Sequence, residues 1–221
     1  MIRMLLVGFA KLFLRMRYRF EVEGLEKIPA GQRLLFLPNH PALIDPVIMM
    51  SLLYLKYRPR PLADQAQVGV PLVRRIVGLA NPVVIPDLTK AGKSAQQATI
   101  EAMQQIIDGL NSGDNVLLYP SGRLYRTKCE KLAGSSAVKQ IVDNVPDVQI
   151  VLVRTSGLWG SSFGWGGGQS PNLVRQLLKS IWIVLAGLLL FVPKRRLKIE
   201  FEIPADFPKG KDKQTINNYM E

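Results

Sequence analysis

Short apolar runs recur along the chain, separated by stretches of helical pattern, and this alternation constrains the fold more than any other feature. Leu34-Leu35-Phe36-Leu37, Pro82 to Ile85, Val116-Leu117-Leu118-Tyr119 and Val148 to Arg154 are too short for helices and are dominated by apolar residues. Such runs read as strands buried on both faces. Tyr18 to Val22 and Leu197 to Glu202 add strands nearer the ends. Between them, Pro46 to Leu55 reads as a helix, with Asp45 as its N-cap and Pro46 at the first helical position. A second helix is expected over about 71–78 and another around Ala133 to Asp143. Ser94 opens the clearest one: Ser94 and Gln97 match a capping box, and Met103, Ile106, Ile107 and Leu110 follow at helical spacing. Strands alternating with helices predict one α/β domain with a central, mostly parallel sheet flanked by helices.

The two apolar segments outside this pattern are basic at their flanks. The start, residues 1–17, mixes large apolar residues with Arg3, Lys11, Arg15 and Arg17 and carries no acid. Its uncharged run is short and no small-residue cleavage site follows, so it reads as a basic amphipathic helix lying on a membrane, and not as a signal peptide. Residues 18–221 are expected to form the main domain. Within it, Ser180 to Pro193 is uncharged and is bracketed by Arg175 and Lys179 before and Lys194-Arg195-Arg196 after. A crossing takes roughly 20 apolar residues, so this run suits an interfacial or re-entrant helix, with a buried core helix as the alternative. Trp159, Phe163, Trp165 and Trp182 fit either a lipid interface or packing beneath a glycine-rich loop. The tail after Asp206 is polar, as if a longer protein continued.

Charge narrows the partners. With 29 Lys and Arg against 17 Asp and Glu the net charge is +12, which calls for an anionic partner. No nucleic-acid recognition motif accompanies the charge, and the basic residues flank apolar runs, so an anionic membrane surface is expected and nucleic acid is not. One cysteine, Cys129, excludes an internal disulfide and points to a reducing compartment. One Cys and one His cannot fill a zinc site, and no metal is expected.

That single histidine, His40, lies in Asn39-His40-Pro41-Ala42-Leu43-Ile44-Asp45-Pro46, directly after an apolar strand run. Acid–base chemistry near neutral pH with an ordinary imidazole can come from no other residue. Asp45 is spaced to bond one imidazole nitrogen and leave the other to accept a proton; it serves equally well as a helix cap. Both residues fall at the carboxyl edge of the sheet, where α/β folds bind ligands. A second strand ends in Tyr119-Pro120-Ser121-Gly122-Arg123-Leu124-Tyr125-Arg126 at the same edge. Its main-chain N–H groups and guanidinium suit a phosphate.

These segments together resemble the PlsC-type glycerolipid acyltransferases, the lysophosphatidic acid acyltransferase family. Asn39-His40-x-x-x-x-Asp45 is similar to its Asn-His-x-x-x-x-Asp signature, and Tyr119-Pro120-Ser121-Gly122-Arg123 to its Phe-Pro-Glu-Gly segment. The run Val148 to Val153 is similar to a later apolar strand of the family, without its proline. The resemblance covers roughly Arg17 to Phe163 and implies that 18–221 is an acyltransferase domain. It implies transfer of a fatty acyl group from acyl-CoA or acyl carrier protein to the free hydroxyl of a lysophospholipid, with no other cofactor. His40 is then the general base and Asp45 its orienting carboxylate, with Asn39, Ser121, Gly122, Arg123 and Arg126 at the substrate. It also implies work at the cytoplasmic face of a membrane. Two positions depart from the pattern: the family's glutamate is Ser121 here, and no arginine follows Val83-Val84-Ile85, where Lys90 or Lys93 stands nearest.

Two other readings compete. Gly160-Ser161-Ser162-Phe163-Gly164 fits the Gly-x-Ser-x-Gly pattern of serine hydrolases, which requires a strand directly before it and a helix directly after. A basic membrane-binding module without activity is the other.

Overall fold

The computed structural model describes residues 2–31, 33–64, 78, 80–85, 93–127, 129–132, 134–165, 171–186 and 194–221. The helix expected over 71–78 falls almost wholly outside these, as do Lys90, residues 187–193 of the apolar run, and the side chains of Lys93 and Ser94. Strand β1 (Tyr18–Glu23) follows helix α1 (Ile2–Arg17) without a break. Strand β2 (Leu34–Pro38) is buried along its whole length and leads, through a short loop, into α2 (Asp45–Tyr57). Strands β3 (Arg60–Asp64) and β4 (Val83–Ile85) precede α3 (Lys93–Asn111), and β5 (Val116–Leu117) precedes α4 (Ala137–Asn144). Strand β6 (Gln149–Ser156), α5 (Leu173–Ala186), β7 (Arg195–Glu202) and α6 (Lys213–Met220) complete the described chain.

The seven strands form one sheet in the order β1-β7-β6-β2-β5-β3-β4. Every pairing is parallel except that of β6 with β7. The mostly parallel sheet read from the sequence is therefore present, with one antiparallel join.

Side-chain alternation along β2 divides the core in two. Leu34 and Phe36 face a layer built from Leu14 of α1, Ile48, Met49 and Leu53 of α2, and Ile199 and Phe201 of β7. Leu177 of α5 packs against the same layer. Leu35 and Leu37 face Ile106 and Leu110 of α3, Ile141 of α4 and Ile216 of α6. Val151 and Val153 on β6 take the first face, and Ile150 and Leu152 the second. A strand buried on both faces in this way needs the near-continuous apolar sequence these runs have.

Sequence reading missed two elements. Pro61 argues against a strand, yet it sits near the start of β3, where the Arg60 N–H bonds the Asn115 carbonyl at 2.8 Å. Helix α6 is hidden in a polar tail and is set by its cap: Asp212 Oδ1 accepts from the N–H groups of Gln214 at 2.9 Å and Thr215 at 3.1 Å. The capping box expected at Ser94 lies outside the described side chains; within the same helix Gln97 Nε2 donates to Glu101 Oε1 at 3.1 Å.

Asn115 joins the loops on one side of the sheet. Its Oδ1 accepts from Leu34 N–H at 2.9 Å, and its Nδ2 donates to the carbonyls of Tyr57 at 2.7 Å and Gly31 at 3.1 Å. Asn115→Ala would strand these main-chain groups in a buried place. The expected cost is about 2–4 kcal/mol of folding stability, read from the shift in a urea unfolding curve. A shift near zero would show that water replaces the amide at no cost.

Candidate active site

The carboxyl ends of β2, β5 and β6 lie side by side, and the site residues emerge from them. Asn39 follows β2 and prolongs its pairing with β6 beyond the last strand residue. Its N–H donates to the Val153 carbonyl at 3.2 Å. Its side-chain amide then takes over: Nδ2 donates to the Thr155 carbonyl at 2.9 Å, and Oδ1 accepts from the Thr155 N–H at 2.7 Å. Asn39, expected at the substrate, thus commits both polar ends of its amide to a neighbouring strand, and so fixes where His40 begins.

His40 is 6% exposed and Asp45 1%. The His40 Nδ1 lies 3.2 Å from Asp45 Oδ2, and the same oxygen accepts from the Ala42 N–H at 2.8 Å. An oxygen already accepting one N–H is best served by a second donor, which places an imidazole hydrogen on Nδ1 and leaves Nε2 outside the pair. Asp45 starts α2, but its side chain reaches back to Ala42 and His40 and makes no cap bond to the helix behind it. The N-cap role expected for Asp45 is therefore corrected: Ile44 stands at that position. Burial raises the Asp45 pKa, and the hydrogen bond and charge of His40 pull it part of the way back.

The segment after β5 closes over the imidazole. Tyr119 lies against the His40 ring, with centroids 4.1 Å apart and planes inclined by 31°. Its hydroxyl is buried without a hydrogen-bond partner, and burial holds its pKa well above the ordinary phenol value. The chain turns at Pro120-Ser121, where the Gly122 N–H bonds the Tyr119 carbonyl at 3.0 Å. Gly122 adopts φ +63°, the left-handed region that favours glycine. The Tyr125 N–H donates to the His40 carbonyl at 3.3 Å.

Aromatic contacts tie this segment to the loop after β6. Tyr125 stacks on Trp159 at 5.5 Å, and the Arg126 guanidinium sits over the Trp165 ring at 4.7 Å. Phe163 is buried in the core and its carbonyl accepts from Leu43 N–H at 2.9 Å, whereas Trp182 on α5 is 71% exposed. Of the aromatics left open between a lipid interface and packing, Phe163 is packed and Trp182 is exposed. Gly157, at φ +96°, allows that loop to leave β6: a Cβ there would meet the Arg196 carbonyl oxygen at 2.4 Å.

The residues predicted for the site gather at this edge. Ser121 is half-buried, and Gly122, Arg123 and Arg126 are exposed on its rim. One neighbour was not anticipated. Glu130 accepts from Ser121 Oγ at 2.5 Å, and the imidazole and main-chain N–H of His40 both favour its charged form. Burial is nonetheless the largest influence on Glu130 and raises its pKa. Ser162 lies in turns of the loop after β6, without the strand-to-helix elbow a hydrolase serine requires. Among the described residues no group of His, Cys, Asp and Glu could hold a metal ion.

The buried carboxyl makes a pH-dependent prediction. Because the folded chain raises the Asp45 pKa, the native state keeps that proton to higher pH than the unfolded chain does. Stability from this group therefore falls as pH rises from the ordinary carboxylate value of 3.8 through the raised folded value, and then levels off. Asp45→Asn does not titrate and still offers an oxygen to Ala42. Calorimetry should find its thermal midpoint above that of the unaltered protein at about pH 8, with the gap closing towards about pH 3. A lower midpoint at the higher pH would mean that attraction to His40 outweighs the burial.

Comparison with known proteins places this arrangement. The chain superposes on the crystal structure of the 1-acyl-sn-glycerophosphate (LPA) acyltransferase PlsC from Thermotoga maritima with a TM-score of 0.63. That similarity covers 99% of this chain and 75% of the other at 17% identity, and so speaks to the fold. No curated protein matches. The family model described as Acyltransferase matches residues 19–155, which run from β1 through most of β6 and include His40, Asp45 and the 119–130 segment, and the chain accordingly belongs to the Acyltransferase family.

Proposed function

We propose that the protein is a glycerolipid O-acyltransferase that moves a fatty acyl group from acyl-CoA or acyl carrier protein to the hydroxyl of a lysophospholipid. The observation that carries this reading is the buried His40–Asp45 contact of 3.2 Å, set within the part of the chain that matches the family. With Nδ1–H held by Asp45, Nε2 is free to take the acceptor's hydroxyl proton. The oxygen attacks the thioester carbonyl, the tetrahedral intermediate collapses with cleavage of the C–S bond, and the leaving thiolate takes the proton back from Nε2. Asp45 fixes the tautomer and stabilises the imidazolium formed between these steps. Tyr119 restrains the ring plane through its stacking. Arg123 and Arg126, exposed on the segment after β5, suit an acceptor phosphate, whereas the Gly122 N–H is taken by the Tyr119 carbonyl. Asn39 acts by placing His40 through its bonds to Thr155.

His40→Ala should lower transfer from a labelled acyl thioester to lysophospholipid by about 10²–10⁴-fold, the usual contribution of a general base, while the circular dichroism spectrum stays the same. A variant with near-normal rates would dismiss His40 from this role.

A membrane surface as the place of action draws support from α1. Leu5, Leu12 and Phe9, the last 70% exposed, project from one side of it, opposite the buried Leu14. The helix carries Arg15 and Arg17 in its last turn and no acid in its first. On α5, Leu178, Ile181 and Trp182 are also exposed. No helix among the described residues is long and apolar enough to cross a bilayer. Association with one leaflet, at the cytoplasmic face, is part of this proposal. Leu5→Glu with Phe9→Glu should lower co-sedimentation with phosphatidylglycerol vesicles by about tenfold or more. Unchanged binding would separate α1 from the lipid.

A further inference from the structure

We propose that Glu130 is a substrate-binding carboxyl group of this site, engaging a hydrogen-bond donor on the polar end of the acceptor beside His40. The inference rests on the acyl-transfer reading above and names a residue that the motif spacing does not contain.

Ser121 holds the place in the turn from which a side chain would most directly address the acceptor, but its hydroxyl is already engaged. It lies 2.8 Å from the Arg123 carbonyl oxygen and 2.5 Å from Glu130 Oε1. A hydroxyl has one proton, and with that proton donated to Glu130 Oε1, Ser121 has no donor left for a ligand. The chemistry of that position passes to Glu130, which arrives from nine residues further along the chain. Glu130 is neither sealed in the core nor free on the surface; it is half-buried at the rim that also carries Arg123. Its carboxyl is bound to Ser121, two residues after the Tyr119 ring that lies against His40, so it sits on the segment that closes over the imidazole. A carboxylate there accepts from a hydroxyl or an ammonium, while the neighbouring guanidinium takes the phosphate.

Burial raises the pKa of Glu130, although its bonds from Ser121 and the His40 N–H favour the charged form. Holding the Ser121 turn in shape would be a purely structural use of the same contact, and glutamine, which is isosteric, keeps that contact. The two uses separate in Glu130→Gln.

The probes are 1-hexanoyl-glycerol 3-phosphate and 1-hexanoyl-glycero-3-phosphoethanolamine, each short enough to stay monomeric. Glu130→Gln should raise the acceptor KM by about tenfold and leave the KM for the acyl donor unchanged. An effect on both acceptors identifies the glycerol hydroxyl as the group bound; an effect on the second alone identifies the ammonium. Moving the carboxyl, with Ser121→Glu and Glu130→Ser together, should bring acceptor KM back to within about threefold of the starting protein. Unchanged acceptor KM in Glu130→Gln, an equal change in donor KM, or no recovery in the exchanged pair would each overturn the assignment.

Calorimetric titration of the same two lysolipids, without acyl donor, keeps this inference apart from the one it rests on. If the unaltered protein binds them but transfers nothing, the catalytic reading falls and Glu130 is judged by the ratio of dissociation constants. If it binds neither, the assignment of Glu130 falls as well.

Discussion

The arrangement at the sheet edge depends on one side chain acting as though it were backbone. Where β2 ends, the Asn39 carboxamide donates to and accepts from Thr155, so the ladder with β6 runs one residue past the strand. A main chain leaving a strand is otherwise free to fray. Here it is pinned until His40, and the loop that follows is held again by Leu43 on the Phe163 carbonyl. The imidazole inherits its position from two ordered neighbours and needs little ordering of its own. Preorganisation of this kind removes an entropic cost from any chemistry performed at Nε2.

Burial and pairing pull Asp45 in opposite directions, and burial wins. A carboxyl group 1% exposed loses most of its hydration, and its two donors, Ala42 N–H and His40, offset only part of that loss. Its Oδ1 has no hydrogen-bond partner. The fold therefore keeps at the sheet edge a carboxyl group whose charged form burial disfavours. The same low-polarity surroundings strengthen the bond from His40, because there is little water to screen it.

Local features were legible in the sequence, and contacts across the chain were not. The strand cores were readable because apolar runs such as Leu34 to Leu37 are short and unbroken, and a parallel sheet demands that pattern. His40 and Asp45 were readable because both lie in one loop, so their spacing already limits their geometry. The cap at Asp45 was misread for a related reason: Asp-Pro before a helix looks the same whether the carboxylate points forward to the helix or back to Ala42. Pro61 masked β3 because the penalty for proline depends on its place in the ladder, which the sequence does not state. Glu130 carried no signal, since a glutamate in a polar loop has no period or spacing to distinguish it. Only the closing of the turn at Ser121 brings it against the segment that covers the imidazole.

Helix α1 has a second side whose role is easily overlooked. Leu14, 2% exposed, shares a hydrophobic layer with Ile48, Met49 and Leu53 of α2, the helix that begins at Asp45. Trimming the chain at Arg17 for easier handling would bare hydrocarbon on that layer. The shortened protein would gain a sticky face in place of the one removed, and the wall behind the carboxylate would be loosened from outside.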